Sequence, residues 1–343
     1  MRPGANIAKL LHRAVILASM AAVMAFITSC AKKQPAAAGE PYTYDFFAAD
    51  TFINLKVYGV DDPEALCKKV EQQTAELERV FSRHIEGSEV SKINAAPEGE
   101  YKVSDELAAV LDAALELAKA TGGAYDPTIA PLVSLWNIGS GNERVPPQPE
   151  IDAARAKVRY ENLALDGNTL IKLKSYAELD LGGSGKGYML GKAIETMAAA
   201  GGYGVVSYGG NVGVYGKKPS GDPWRIGIKH PRKESATLGY VEVESGFVAV
   251  SGDYERYFIA EDGTRYCHIL DPATGWPARN GVICVAVWTE NAVRGDILST
   301  ALFVMGESEG LRFCEENGIA ALFMTESGIS QSPEMEKIFR KAS

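Results

Sequence analysis

Histidine is scarce in this 343-residue chain: of four, His12 falls in the first dozen positions, leaving His84, His230 and His268. Their spacing builds no HExxH helix, and no GxSxG elbow is present, so the common zinc-protease and serine-hydrolase readings fail. Glycine is plentiful, yet no GxGxxG follows a strand-like run and no GxxxxGK[ST] occurs, which excludes the dinucleotide and P-loop fingerprints. Cysteine is sparse too. The five residues form no CxxC pair and no zinc spacing. Basic charge is in deficit, with 35 Lys and Arg against 44 Asp and Glu for a net charge of -9. Without a basic stripe the chain has no electrostatic footprint for nucleic acid, and none is expected as a partner.

Long apolar runs are also missing. The longest, Ala14 to Ile27, falls short of the ~20 apolar residues that cross a bilayer. It follows Arg2, Lys9 and Arg13 and ends at Ile27-Thr28-Ser29-Cys30. A positive region, a short apolar core and small residues make residues 1–29 a secretory signal, with a plain signal or a buried helix as the alternatives. Ile27 to Cys30 resembles a bacterial lipobox, which implies a lipid on Cys30 and an exported, membrane-anchored protein. Residues 30–42 then read as a tether, leaving 43–340 as one domain. Cys67, Cys267, Cys284 and Cys314 fit either disulfides or buried small hydrophobes, and the sequence leaves both open.

Within that domain, Thr51 to Tyr58 alternates as a strand, and Asp61-Asp62-Pro63 opens an amphipathic helix. Ser104 caps a second helix that ends at Thr121-Gly122-Gly123. A strand at 170–173 leads to Leu179-Asp180-Leu181, a glycine-rich turn, and a helix from about 187 to 200. Short strands follow at 205–208, 212–215, 224–228, 240–243 and 247–250. The segments 256–260 and 265–270 flank the hairpin signal Glu261-Asp262-Gly263-Thr264. A strand at 283–287, helices near 294–305 and 307–317, and a strand at 319–324 complete the series. Mixed elements without regular βαβ alternation predict an α+β fold, with a largely antiparallel sheet and packed helices.

Four segments carry chemistry-bearing residues. In Thr121-Gly-Gly-Ala124-Tyr125-Asp126-Pro127, a helix end and turn place an acid before proline. In Asp180-Leu-Gly-Gly183-Ser-Gly-Lys186-Gly187, exposed amides and a lysine suit either an anion cradle or a structural tight turn. In His268-Ile269-Leu270-Asp271-Pro-Ala-Thr274-Gly275, one titratable histidine sits among polar groups, although a lone strand histidine is more often structural. In Gly295-Asp296-Ile-Leu-Ser-Thr300, two hard oxygen donors lie i, i+4 on one helix face, as Mg²⁺ prefers. The bland alternative for that pair is an Asp N-cap with a solvated Thr.

Taken together with Phe81–Asn94, YGGNVGVYGKKP (208–219) and SGDYERYF (251–258), these blocks resemble the ApbE family of FAD:protein FMN transferases over about residues 46–326. The resemblance implies Mg²⁺ on the side chains of Asp296 and Thr300 and the carbonyl of Gly183. It implies FAD, as substrate, against Ala124, Tyr125 and Asp126, with Asp180 and Lys186 at the adenosine and pyrophosphate and Ile269 or Leu270 packed on the cofactor. Asp271 and Thr274 belong to the same cofactor-binding block. His268 is then the base for an acceptor hydroxyl, and His84 stands beside the flavin. Many members carry Ser-x-Tyr where this chain has Ser82-Arg83-His84, and members that mainly hydrolyse FAD depart at the same place. The implied partner is an exported redox protein, such as a subunit of a sodium-pumping membrane complex, accepting FMN on a Thr or Ser as AMP leaves. The alternatives are an Mg²⁺-dependent FAD pyrophosphatase, a flavin-binding lipoprotein without turnover, and a surface adhesin.

Overall fold

The computed structural model describes residues 39–233 and 235–342. The expected signal segment, the lipidation candidate Cys30 and the expected tether up to residue 38 lie outside the described residues. The chain begins with an antiparallel pair, β1 (Tyr42–Ala48) and β2 (Thr51–Tyr58). Helix α1 (Pro63–Phe81) follows, its start fixed by Pro63 and by Asp62, which accepts the Ala65 N–H at 3.0 Å. Next come α2 (Glu89–Ala95), β3 (Gly99–Lys102), α3 (Asp105–Ala120), α4 (Ala130–Trp136), α5 (Gln148–Arg155), β4 (Leu163–Asp166) and β5 (Thr169–Lys172).

Helix α6 (Gly185–Ala199) leads into β6 (Tyr203–Tyr208), β7 (Asn211–Tyr215), β8 (Trp224–Lys229), β9 (Thr237–Val243) and β10 (Gly246–Gly252). A short hairpin, β11 (Tyr257–Ile259) and β12 (Arg265–Cys267), precedes β13 (Val282–Thr289). The chain closes with α7 (Ala292–Met305), α8 (Glu307–Asn317), β14 (Ala320–Thr325), β15 (Gly328–Gln331), α9 (Pro333–Ile338) and β16 (Phe339–Lys341).

These elements make an α+β architecture around an eight-stranded sheet, ordered β1-β2-β6-β7-β10-β13-β14-β15 and antiparallel at every junction. Both faces are covered, which is why β13 reads as a nearly continuous apolar run rather than alternating. Val285 and Val287 face α7 and α8, while Cys284 and Ala286 face the three-stranded sheet β16-β9-β8. Towards β1, helices α1 and α6 pack on Ile53, Leu55, Val57, Val206 and Tyr208. Cys67, Cys267, Cys284 and Cys314 are buried and spread through these cores. Burial pushes Cys284 and Cys314 up to about 12, so they act as small hydrophobes.

Several boundaries differ from the sequence expectation. Strand β1 begins at Tyr42, the last residue assigned to the tether, because Tyr42, Tyr44 and Phe46 alternate inward onto the first core. Helix α6 starts at Gly185 rather than near 187, so Lys186 lies in its first turn. The β11–β12 strands are shorter than expected; beyond them Leu270 makes only an isolated bridge to Pro277.

The small sheet β3-β5-β4 is tied to α2 by one unusual residue. Lys172 is 1% exposed, and its ammonium donates to the carbonyls of Ile93 (2.9 Å), Asn94 (3.1 Å) and Ala96 (2.8 Å) at the end of α2. Burial lowers its pKa, opposed by Glu178, and the three carbonyls hold the buried charge in place. Lys172→Met keeps the stem but takes the ammonium from all three carbonyls, leaving Ile93 with the Ala96 N–H alone. It is expected to cost about 1–3 kcal/mol, read as a lower urea midpoint with unchanged m-value.

Candidate active site

Helices α6 and α7 approach so closely that a Cβ on Gly187 would lie 2.8 Å from the Cβ of Asp296 and collide with the Ala292 carbonyl. That proximity lets the Gly187 N–H donate to Asp296 Oδ2 at 2.8 Å. Asn211, opening β7 after the Gly209-Gly210 turn, donates from Nδ2 to Asp296 Oδ1, also at 2.8 Å. Asp296 is buried in the second turn of α7, and the cap of that helix is Asn291, whose Oδ1 accepts the Arg294 N–H. The bland reading of Asp296 as an N-cap is therefore not what the chain adopts.

One turn on, Thr300 Oγ1 lies 3.3 Å from the Asp296 carbonyl oxygen and 3.4 Å from Ser251 Oγ. Gly183 completes the corner: a Cβ there would stand 3.3 Å from Thr300 Oγ1 and 3.2 Å from the Tyr125 ring. The Tyr125 hydroxyl is buried without a hydrogen-bond partner, although Ser184 lies beside it. Burial raises its pKa, opposed by Ser184 and helped by Asp296, Asp180 and Asp126, so it stays protonated as an unused donor. Carboxylate, hydroxyl and carbonyl oxygens around an orphaned phenol suit a hard cation together with an anionic ligand. Among the described residues no cluster of three or more His, Cys, Asp or Glu side chains supplies a protein-only metal cage.

The glycine-rich loop before α6 is braced on both sides. Asp180 Oδ1 accepts the Gly182 N–H at 2.9 Å, and Oδ2 pairs with Arg83 Nε at 2.8 Å, both side chains being largely buried. Arg83 also donates from Nη1 to Ser134 Oγ at 2.9 Å. In the Ser82-Arg83-His84 segment it is thus Arg83 that reaches the loop, while His84 is exposed. Lys186 Nζ donates to the Gly182 carbonyl at 2.9 Å and remains partly exposed.

His268 stands just past β12. Its N–H donates to the Arg256 carbonyl at 3.0 Å, and Nδ1 lies 3.1 Å from the same oxygen. A carbonyl only accepts, so Nδ1 carries the proton and Nε2 keeps a free lone pair. Burial pushes His268 down to about 4, opposed by the Arg256 carbonyl and helped by the positive charges of Lys186 and Arg256. The ring is therefore neutral near pH 7, as a proton acceptor must be.

Other residues singled out by sequence turn inward on their own loops. Asp271 accepts from the Ala273 N–H (2.8 Å) and the Thr274 hydroxyl (2.9 Å), and Trp136 Nε1 locks the next residue through the Gly275 carbonyl (2.8 Å). Ile269 and Leu270 are buried in two different cores, which fixes the backbone that carries His268. Asp126 gives Oδ1 to the N–H and hydroxyl of Thr128 and Oδ2 to the Tyr160 N–H, and burial raises its pKa. Ala124 is partly buried between that turn and α3.

The sequence pattern of the ApbE family matches residues 49–323. The chain belongs to the ApbE family. A curated relative from Vibrio cholerae, named FAD:protein FMN transferase, is 34% identical over 81% of this chain and 85% of its own length. One of the same name from Escherichia coli is 28% identical over 94% and 96%. The ApbE protein of Thermotoga maritima superposes with a TM-score of 0.82 at 35% identity, covering 88% of this chain and all of that one. The Vibrio cholerae flavin transferase ApbE superposes at 0.77 and 30% identity, covering 87% and 99%.

Against this ApbE fold, sequence reading missed Arg83, Asn211 and Gly187 as individual residues, although each lies inside a quoted block. Asn211 carried a usable signal, a polar residue straight after a Gly-Gly turn. The depressed His268 pKa has a definite sign. Folding favours the neutral ring, so its contribution is whole above the ordinary value of 6.5 and is lost as pH falls towards about 4. In an NMR titration His268 is expected to protonate near that lower value. In urea melts, the stability of the parent relative to His268→Gln is expected to fall steadily across the same window.

Proposed function

We propose that this ApbE-family chain is an FAD:protein FMN transferase that moves the FMN half of FAD to a Thr or Ser hydroxyl and releases AMP. The observation that carries the reading is His268, a neutral imidazole with Nδ1 pinned to the Arg256 carbonyl and Nε2 free, near the lysine of the glycine-rich loop. A hydroxyl is a poor nucleophile near neutral pH, and a base within hydrogen-bond reach remedies that. Nε2 takes the hydroxyl proton as the oxygen bonds to the FMN phosphorus. The bond from that phosphorus to the bridging oxygen breaks, and AMP departs with the electron pair.

Lys186 and the loop amides draw the pyrophosphate into line, and the adenosine half supplies positioning, the main requirement of phosphoryl transfer. Tyr125 offers its unused O–H to the same ligand. Asp296, Thr300 and the Gly183 carbonyl are the oxygens that would hold Mg²⁺, which when bound neutralises pyrophosphate charge and improves the leaving group. Exposed His84 gives a second reading some support. Where a smaller imidazole replaces tyrosine beside the flavin, water competes with the acceptor, and the same site becomes an FAD pyrophosphatase. The acceptor in our reading is an exported redox protein, met outside the cell membrane by an enzyme anchored through lipid on Cys30. Among the described residues no helix is long and apolar enough to cross a membrane.

Incubation with FAD, Mg²⁺ and an acceptor fusion, following AMP, FMN and acceptor mass, tests this. The transferase reading expects one FMN on the acceptor per AMP. Free FMN regardless of acceptor identifies the pyrophosphatase, and FAD binding without AMP a carrier. Asp296→Ala is expected to abolish Mg²⁺-dependent AMP formation. His268→Ala is expected to bind FAD normally and transfer about 10²–10⁴-fold more slowly; unchanged transfer would remove His268 as the base.

A further inference from the structure

Large apolar side chains normally leave water, yet two hairpins beside His268 present four of them. Phe47 is 61% exposed, Phe52 78%, Tyr257 40% and Ile259 60%. Phe47 and Phe52 are directly opposed in the β1–β2 register and pack edge to face, with centroids 5.3 Å apart. The turn between them holds both Ala49 (φ 49°) and Asp50 (φ 56°) in the left-handed region, which an alanine adopts only under constraint. That turn aims Asp50 at the neighbouring hairpin, where its Oδ2 accepts from Arg256 Nη2 at 2.6 Å. Arg256 in turn supplies the carbonyl that orients His268. From the other side, the Phe52 carbonyl accepts the Gly209 N–H, two residues before the Asn211 that holds Asp296. The apolar tip therefore rims the catalytic end of the sheet.

The second hairpin adds an open backbone edge. Among the described residues β11 pairs with β12 alone. The bonds from His268 N–H to the Arg256 carbonyl and from Ala260 N–H to the Thr264 carbonyl fix the phase of the ladder. Residues 256, 258 and 260 face β12, so Tyr257 and Ile259 turn their N–H and C=O groups outward. Unpaired edges of this kind are templates for another strand.

We propose that the acceptor protein docks here, its hydroxyl-bearing segment extended as an added strand on β11, with its apolar side chains against Phe47, Phe52 and Ile259. The segment runs past Arg256 and delivers its Thr or Ser to Nε2 of His268. This rests on the transferase reading and names how its protein substrate is held. A protein suits the patch better than a membrane surface, because only a polypeptide can pair with the outward N–H and C=O groups of β11 while covering the apolar side chains beside it.

Two variants separate the two contacts. Ile259→Pro removes an outward N–H, as edge strands tolerate, together with the Ile259 side chain; Phe52→Ser removes apolar surface and leaves the β11 edge intact. The probe is a soluble carrier fused to an extended threonine-containing segment of an exported redox subunit, assayed with the full chain, FAD and Mg²⁺. Each variant is expected to raise the acceptor KM about tenfold, with kcat and FAD binding within about twofold of the parent. Thermal melts by circular dichroism verify that both fold. An acceptor KM within about twofold of the parent in both variants overturns the docking site. So does loss of Phe52→Ser from phosphatidylcholine–phosphatidylglycerol vesicles with KM unchanged, which would make the patch a membrane contact. A parent that forms AMP but labels no acceptor overturns the transferase reading, and the docking with it.

Discussion

The hydrogen bond from the Gly187 amide to the Asp296 carboxylate sets the spacing of the whole catalytic end. It exists only because residue 187 has no side chain, so α6 can lie against α7 nearly backbone to backbone. Once that contact is made, Gly183 at the head of α6 necessarily sits over Thr300 on α7. The first turn of α6, which carries Lys186, is thereby placed beside the strand end that carries His268. Asn211 secures the other carboxylate oxygen from the sheet, so helix pair and sheet are locked at one acid. Displacing any of these backbones by an ångström would separate groups whose usefulness lies in converging.

Acids in the site divide by what already occupies their oxygens. Asp271 spends both on its own turn, Asp126 spends one on Thr128 and one on the distant Tyr160 amide, and Asp180 spends one on Gly182 and one on Arg83. These three make the loops rigid. Asp296 is held by two neutral donors and looks onto Thr300 and the orphaned Tyr125 hydroxyl. Dense motifs in a sequence thus mix residues that shape a pocket with residues that act in it, and only the hydrogen-bond partners tell them apart.

What was legible in the sequence follows the same physics. The capped amphipathic α1 and α3, the alternating β2 and the helix bearing Asp296 and Thr300 were all readable, because period and caps are local signals. Strand β1 was not, since its first residues continue an Ala- and Pro-rich tether and its partner β2 supplies the reason to pair. The helices α4 and α5, of seven and eight residues, are too brief to show a period in a proline-rich stretch. Within the site, motif blocks brought Gly183, Asp296, Thr300 and His268 to notice. Which side chain of a block turns inward is a three-dimensional matter, and so Arg83 was passed over in favour of its exposed neighbour His84. The insertion of β10 between β7 and β13, which carries Ser251 to Thr300, has no one-dimensional trace at all.

The buried thiols have a consequence for the life of the molecule. With pKa values raised to about 11 or 12, Cys267, Cys284 and Cys314 hold almost no thiolate while the chain is folded. Disulfide exchange needs thiolate and access, so these three thiols take little part in it while the chain is folded. An opened molecule has neither protection. Its sulfurs pair wrongly, and each excursion out of the native state becomes a chance of permanent loss rather than a reversible pause. For a protein with buried thiols, durability wherever thiols are oxidised is thus governed by how rarely it unfolds, and the cysteines serve as an internal clock of those events.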